Sequence, residues 1–350
     1  AFRRRSVSEG KEGMRLSMEV IENKRQNNLD VLKCLCAFLV ICIHIPYKGK
    51  IGEIVTPICR IAVPIFFMIT GYFYTKTSKK PLKQIKKIFS LVILANLLYF
   101  LFGVLTNNLP DISNTNVIAK LILFNETPFA GHLWYLGAIL YVLIIVYLAD
   151  KIKIRKYLYF FIPILLIVDI IFGKYSILIF NKEFPYIYIR NFLFVGLPYF
   201  LIGDLLYKNK DKLLNKFSLK NLIILIIVFT ITTLLEKYFL ISINMNATRD
   251  QYISTTFLSI TVFLLALKAK NVDDKFIFAI IGRKYSLYIY IVHLMIINLY
   301  NNYLVEKNIL NYFIQIIVFL ISLLIAIIYV KCKNIFVKKY KKLIDKGISH

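Results

Sequence analysis

Residues 29–46 read LDVLKCLCAFLVICIHIP and residues 60–76 read RIAVPIFFMITGYFYTK. In the first stretch an uncharged run, Cys34 to Ile43, lies between Asp30 and Lys33 at one end and His44 at the other. At roughly 1.5 Å per residue, a helix over 30–47 is long enough for most of the roughly 30 Å hydrocarbon layer of a bilayer. Outward from these two stretches the pattern repeats. Apolar runs fall at 30–47, 54–75, 86–106, 132–149, 157–174, 191–207, 221–240, 252–268, 276–299 and 310–331. None alternates as a barrel strand does, and backbone amides in lipid need internal partners, so each run is expected to be helical. Pro64, Pro163 and Pro198 fall inside runs and predict kinks.

Composition supports a membrane chain and argues against a soluble one. Hydrophobic residues make up 59% of the 350 positions and charged residues 18%. The net charge of +26 would suit a nucleic-acid binder if it were spread along a soluble chain, but it is confined to short blocks between apolar runs, so no nucleic-acid partner is expected. Basic residues are rich before residue 26 and at 76–87, 151–156, 208–220, 268–284 and 331–346, and sparse in the alternate loops. By the positive-inside rule the rich loops are cytoplasmic, which places both termini inside and fits an even count of ten spans. The expected fold is an all-α integral membrane protein. The expected organisation is a basic arm (1–28), one transmembrane domain (29–331) and a basic tail (332–350). The loops around 107–131 and 174–190 are too short to fold as a second domain. Position 1 is not Met, and the polar opening to Arg25 carries no fold signal. Five cysteines without C-x-x-C spacing indicate neither a zinc site nor a disulfide framework, and no metal is expected.

Ionisable residues inside spans cost about 2.5–3.5 kcal/mol each on insertion scales, so they mark polar cavities or function. His44 lies fourteen residues beyond Asp30, roughly 21 Å up an outward-running helix, and Arg60 lies roughly 9 Å down the next. The two share a level. His293 reaches nearly the same height, and His132 opens the fourth span there. Any one histidine reads equally well as a packing residue, whereas His44 with Arg60 reads as functional. Lys33 and His44 share a helix face about 16 Å apart, too far for direct contact. Asp30 and Lys33, at i,i+3, read as a local ion pair as readily as a cofactor site. Asp169 and Asp204 read as structural, Trp134 with Tyr135 as an interfacial aromatic belt, and Arg190 as an interfacial anchor more than an anion ligand.

These residues carry a resemblance. Leu29-Asp30-x-Leu32-Lys33 with His44, the stretch Arg60 to Tyr72, His132-Leu-Trp134-Tyr135, and Gly282 and Ser286 through Tyr288-x-Tyr290 to His293 resemble the motifs of the type-3 membrane-bound acyltransferases. The resemblance covers the whole membrane region and differs in one respect, because Lys33 stands where that family usually has Arg, which keeps charge but loses bidentate recognition. It implies an enzyme of the cell membrane that moves an acyl group, acetyl in the first instance, from acyl-CoA to a hydroxyl of a cell-surface glycan or its lipid-linked precursor. It further implies His44 as general base, Arg60 as charge stabiliser or donor holder, and Lys33 with Asp30 at the coenzyme. His132, Trp134, Tyr135, Arg190, Tyr290 and His293 would then meet substrate. The Arg60–Tyr72 stretch is similar also to the membrane half of vancomycin-resistance serine racemases, for which serine uptake is the alternative reading. Those proteins continue into a racemase domain, whereas this chain ends on a Lys-rich tail, which favours a free-standing acyltransferase.

Overall fold

The computed structural model describes residues 25–76, 81–110, 115–303 and 313–347, and among them every regular element is helical. The basic arm up to Lys24, and the loop residues Lys79, Lys80 and Lys307, lie outside the described residues. The helices of eight or more residues among the described residues are thirteen: α1 (Asn27–His44), α2 (Gly49–Cys59), α3 (Ala62–Lys76), α4 (Pro81–Leu105), α5 (Thr115–Phe124), α6 (Trp134–Lys151), α7 (Phe161–Phe172), α8 (Leu197–Lys208), α9 (Leu219–Ser242), α10 (Ile253–Lys268), α11 (Ile277–Lys284), α12 (Ser286–Tyr303) and α13 (Ile314–Gly347). The last runs without a break from the final apolar run through the basic residues that follow it.

Among the described residues six stretches are long and apolar enough to cross a membrane: α1, Gly49–Lys76, α4, Gly131–Lys151, α9 and Ile314–Lys339. A seventh is added if α11 and α12, bent by 77°, count as one broken span. The three other runs of the sequence form helices of 12, 12 and 16 residues, α7, α8 and α10. Burial explains α8. Every residue from Leu197 to Asp204 is buried, so that helix is a core element and need not match the bilayer. The lipid-facing role falls to α4, α9 and α13, which carry bands of exposed aliphatic residues such as Ile93, Leu97 and Leu101, Ile227, Ile231 and Leu235, and Leu320, Leu324 and Ile328. Continuous apolar bands of this kind on three peripheral helices are what a hydrocarbon environment requires. The chain is a membrane protein.

The second and ninth runs are broken rather than continuous. The second breaks at Arg60–Ile61, between α2 and α3, and the ninth at Tyr285. The expected kinks become helix starts: Pro64, Pro163 and Pro198 each sit within the first turn of α3, α7 and α8, where a missing N–H costs no intrahelical bond. Two crossings of the core depend on glycine. A Cβ on Gly71 would stand 1.9 Å from the Phe200 carbonyl oxygen and one on Gly203 1.9 Å from that of Met68, so α3 and α8 touch backbone to backbone. A Cβ on Gly282 would stand 1.7 Å from the Asp30 carbonyl oxygen, which locks α11 against the start of α1. At the same end of the bundle the fully buried Asp204 accepts from Thr75, Tyr159 and Arg155, the last at 2.7 Å.

Candidate active site

Two cavities share the same helices. The first, about 280 Å³, is lined by His44, Arg60, His132, Trp134, Arg190 and Asp250 among others. The second, about 350 Å³, is lined by Lys33, Lys87, Tyr135, Arg283, Ser286 and Tyr290 among others. Each of four helical stretches divides between them. The first span gives Lys33 to one cavity and Val40 to His44 to the other. α3 gives Phe66 to Tyr74 and Val63. The fourth span gives Tyr135 to Leu143 and His132 with Trp134. α12 gives Ser286 to Tyr290 and Leu294. The cavities therefore lie one above the other along these helices, with a layer of side chains between them. In that layer the rings of Tyr135 and Tyr290 are 5.2 Å apart, and the Tyr290 hydroxyl donates to the His132 carbonyl.

Three histidines meet at the base of the first cavity. His44, the last residue of α1, is exposed into it, while His132 and His293 are buried behind. Ring centroids lie 5.2 Å apart for His44 and His293, 5.1 Å for His132 and His293, and 6.5 Å for His44 and His132. The His293 Nδ1 lies 2.6 Å from the Tyr290 carbonyl, so Nδ1 carries the proton and the unpartnered Nε2 is an acceptor. His132 Nε2 likewise faces the Ile291 carbonyl at 3.3 Å, leaving Nδ1 without a partner. Both buried rings thus present acceptor nitrogens. Among the described residues no group of three or more His, Cys, Asp or Glu is arranged to hold a metal ion.

Arg60 occupies the break between α2 and α3, where a helix end frees its side chain to reach across the cavity and bind Asp250. Asp250, in the loop between α9 and α10, also lies 3.9 Å from Arg190. Burial alone would raise its carboxyl, but Arg60, Arg190 and Lys174 outweigh burial and hold it below the ordinary carboxylate range. Arg190 stacks over Trp134 at 5.5 Å and over Tyr186 at 4.4 Å. The turn after it, Phe192–Gly196, is wound as a single π-type turn and is pinned by Asn125, which accepts from the Phe192 amide and donates to the Trp134 carbonyl.

Of the sequence candidates, His44, Arg60, His132, Trp134 and Arg190 line the first cavity, and Lys33, Tyr135 and Tyr290 the second. His293 stands behind His44. Asp30, 1% exposed, lines neither and is held between Lys33 at 3.0 Å and Arg25 at 2.9 Å. The aromatic-belt reading of Trp134 and Tyr135 is corrected, because both are buried in the core and face cavities rather than the membrane surface. Asp169 also departs from its structural reading. It lines the first cavity with one carboxyl oxygen buried and unpartnered. Asp250, Lys174, Tyr186, Arg249 and Gln251 also line that cavity and were not among the candidates. Adjacent opposite charges at Arg249–Asp250, in a chain with only 19 acidic residues, were the available signal.

A family model described as an acyltransferase domain matches residues 26–331. Two curated proteins of Enterococcus faecalis, each named an amino-acid racemase, are similar to parts of the chain. One is 30% identical over 128 residues, 33% of this chain and 18% of its own length. The other is 32% identical over 154 residues, 39% of this chain and 20% of its own length. The chain thus spans about a fifth of the length of these relatives. No solved structure matches it.

Proposed function

The chain belongs to the acyltransferase family, and we propose that it transfers an acyl group, acetyl in the first instance, from an acyl-CoA in the Lys33 cavity to a hydroxyl in the His44 cavity. The hydroxyl belongs to a cell-surface glycan or its lipid-linked precursor, and the protein sits in the plasma membrane with the Lys33 cavity open to the cytoplasm. The observation that carries this reading is the pair of cavities stacked along the same helices, each lined by several basic side chains. Lys33, Lys87 and Arg283 line the donor side; Lys33 is paired with Asp30 and Arg283 with Asp274, but neither carboxylate lines the cavity, which leaves a basic lining that suits a polyphosphate. The long pantetheine arm passes Tyr135 and Tyr290 and spans the roughly 16 Å between Lys33 and His44.

His44 removes the acceptor proton as the hydroxyl oxygen attacks the thioester carbon. Arg60 stabilises the oxyanion that forms there. The carbon–sulfur bond then breaks, an ester bond remains, and the coenzyme leaves as a thiol that takes the acceptor's proton back from His44. His293 and His132, whose ring centroids lie 5.2 and 6.5 Å from that of His44, orient the His44 ring by packing against it. The test uses sealed vesicles of known orientation. Coenzyme release and acceptor labelling require acyl-CoA on the Lys33 side only, and equal labelling from either side rejects the reading.

A second reading, uptake of serine or a similar amino acid, is favoured by one observation. The His44 cavity sets cationic side chains beside unpartnered acceptor oxygens of Asp169 and Gln251, a pattern that suits an ammonium and a carboxylate on one ligand. Proteoliposomes that accumulate serine without consuming acyl-CoA would support it.

A further inference from the structure

The His44 cavity holds more positive charge than its own carboxylates neutralise. Arg60, Lys174, Arg190 and Arg249 line it, against Asp169 and Asp250. Asp250 is taken by Arg60, which leaves Arg190 with a 3.9 Å contact to the same carboxylate. Arg249 reaches Glu183 at 3.3 Å through one Nη, while its Nε is buried without a partner. Lys174 donates to the Ala247 carbonyl at 2.7 Å and faces the Asn246 amide oxygen at 3.4 Å, and neither carries charge. Lys174 is 4% exposed and Arg249 7%. Burying a cation without a full counter-charge costs several kcal/mol. Burial, reinforced by the Arg60 charge, pushes Lys174 down to about 7.

Aromatic faces hold these cations in place. Tyr186 lies between Arg190 at 4.4 Å and Arg249 at 4.1 Å, and its hydroxyl donates to the Thr248 carbonyl. Lys174 stands over the Tyr252 ring at 4.5 Å. Stacking fixes a guanidinium by its face and leaves its N–H edge for a planar or tetrahedral oxyanion.

We propose that the acceptor bound in this cavity carries an oxyanion, a carboxylate or a phosphate, seated on Arg190, Arg249 and Lys174, while its hydroxyl is presented to His44. The hydroxyl's role rests on the acyl-transfer reading above. The oxyanion seat does not.

The test is ligand-induced thermal stabilisation of the detergent-solubilised full chain, titrated with glucuronate, glucose 6-phosphate and glucose. One or both anions half-saturate at least tenfold below glucose, and whichever does so identifies a carboxylate or a phosphate. Arg190→Gln and Lys174→Gln each remove about tenfold of that advantage, and Arg190→Lys removes less. Arg249→Gln is a less secure variant because of its bond to Glu183, and the other two carry the test without it. Binding no tighter than glucose by either anion, or an advantage that survives in both Arg190→Gln and Lys174→Gln, overturns the proposal. Coenzyme release measured on the same samples separates the two claims. Release without anion preference rejects the oxyanion seat alone, and anion preference without release rejects acyl transfer alone.

Discussion

The Tyr290 hydroxyl donates to the main-chain carbonyl of His132, joining α12 to the turn that opens α6 in the layer between the two cavities. One bond therefore fixes both the partition and the histidine behind His44. Tyr290→Phe keeps the ring and loses the bond, worth about 1 kcal/mol. Acyl transfer is expected to fall several-fold with coenzyme affinity unchanged, as measured by single-turnover labelling beside equilibrium binding.

Arg60 and Asp250 are 190 residues apart in the chain and bound across the cavity. Asp250→Asn leaves Arg60 and Arg190 facing each other without their shared carboxylate. An expected loss of about 2 kcal/mol, below the figure for a fully buried pair, should appear as a lowered thermal midpoint. Arg60→Lys keeps the charge but not the planar fork, and transfer should drop at least tenfold with smaller loss of stability.

Lys33 supplies one charge to the second cavity, the proposed seat of the coenzyme. Lys33→Ala should weaken coenzyme binding about tenfold, equivalent to about 1.4 kcal/mol, and Lys33→Arg much less. Equal loss in both variants would show that Lys33 serves only to pair with Asp30.

Lys174 provides a pH signature. Its ordinary value is 10.5, and burial first and Arg60 second push it down to about 7, against Asp250, Glu183 and Glu236, which pull it up. Between about 7 and 10.5 the unfolded chain binds a proton that the folded protein lacks, so this residue's contribution to stability rises with pH across that window. Thermal midpoints at pH 6.5, 7.5 and 8.5 should rise more steeply for the wild type than for Lys174→Met.

Much of the fold is legible in the sequence, because apolar runs bounded by charge blocks have few physical solutions in lipid. Each of the ten runs is helical in the described residues. What the runs hide is length in use. The run at 191–207 is long enough to read as a span, yet α8 is a short core helix, and only packing partners such as Gly71 and Met68 reveal that. The level shared by His44 and Arg60 follows from the helical rise, and both side chains do line one cavity. Asp250, Lys174 and Arg249 were not legible as site residues. They lie in connections, where no periodicity says which way a side chain points, and only the tertiary fold carries them over the histidines.

Gly282, inside α11 just before the break at Tyr285, is a further case. A Gly282→Ala methyl would collide with the Asp30 carbonyl, so α11 must move off α1, with an expected cost of several kcal/mol and loss of the folded fraction in membranes.

The most direct measurement is acyl-CoA-dependent labelling of acceptor in membranes carrying wild type or His44→Ala at equal expression. With His44 as general base, the variant should label at least a hundredfold more slowly while coenzyme binding and topology persist. Labelling at the wild-type rate would contradict the account.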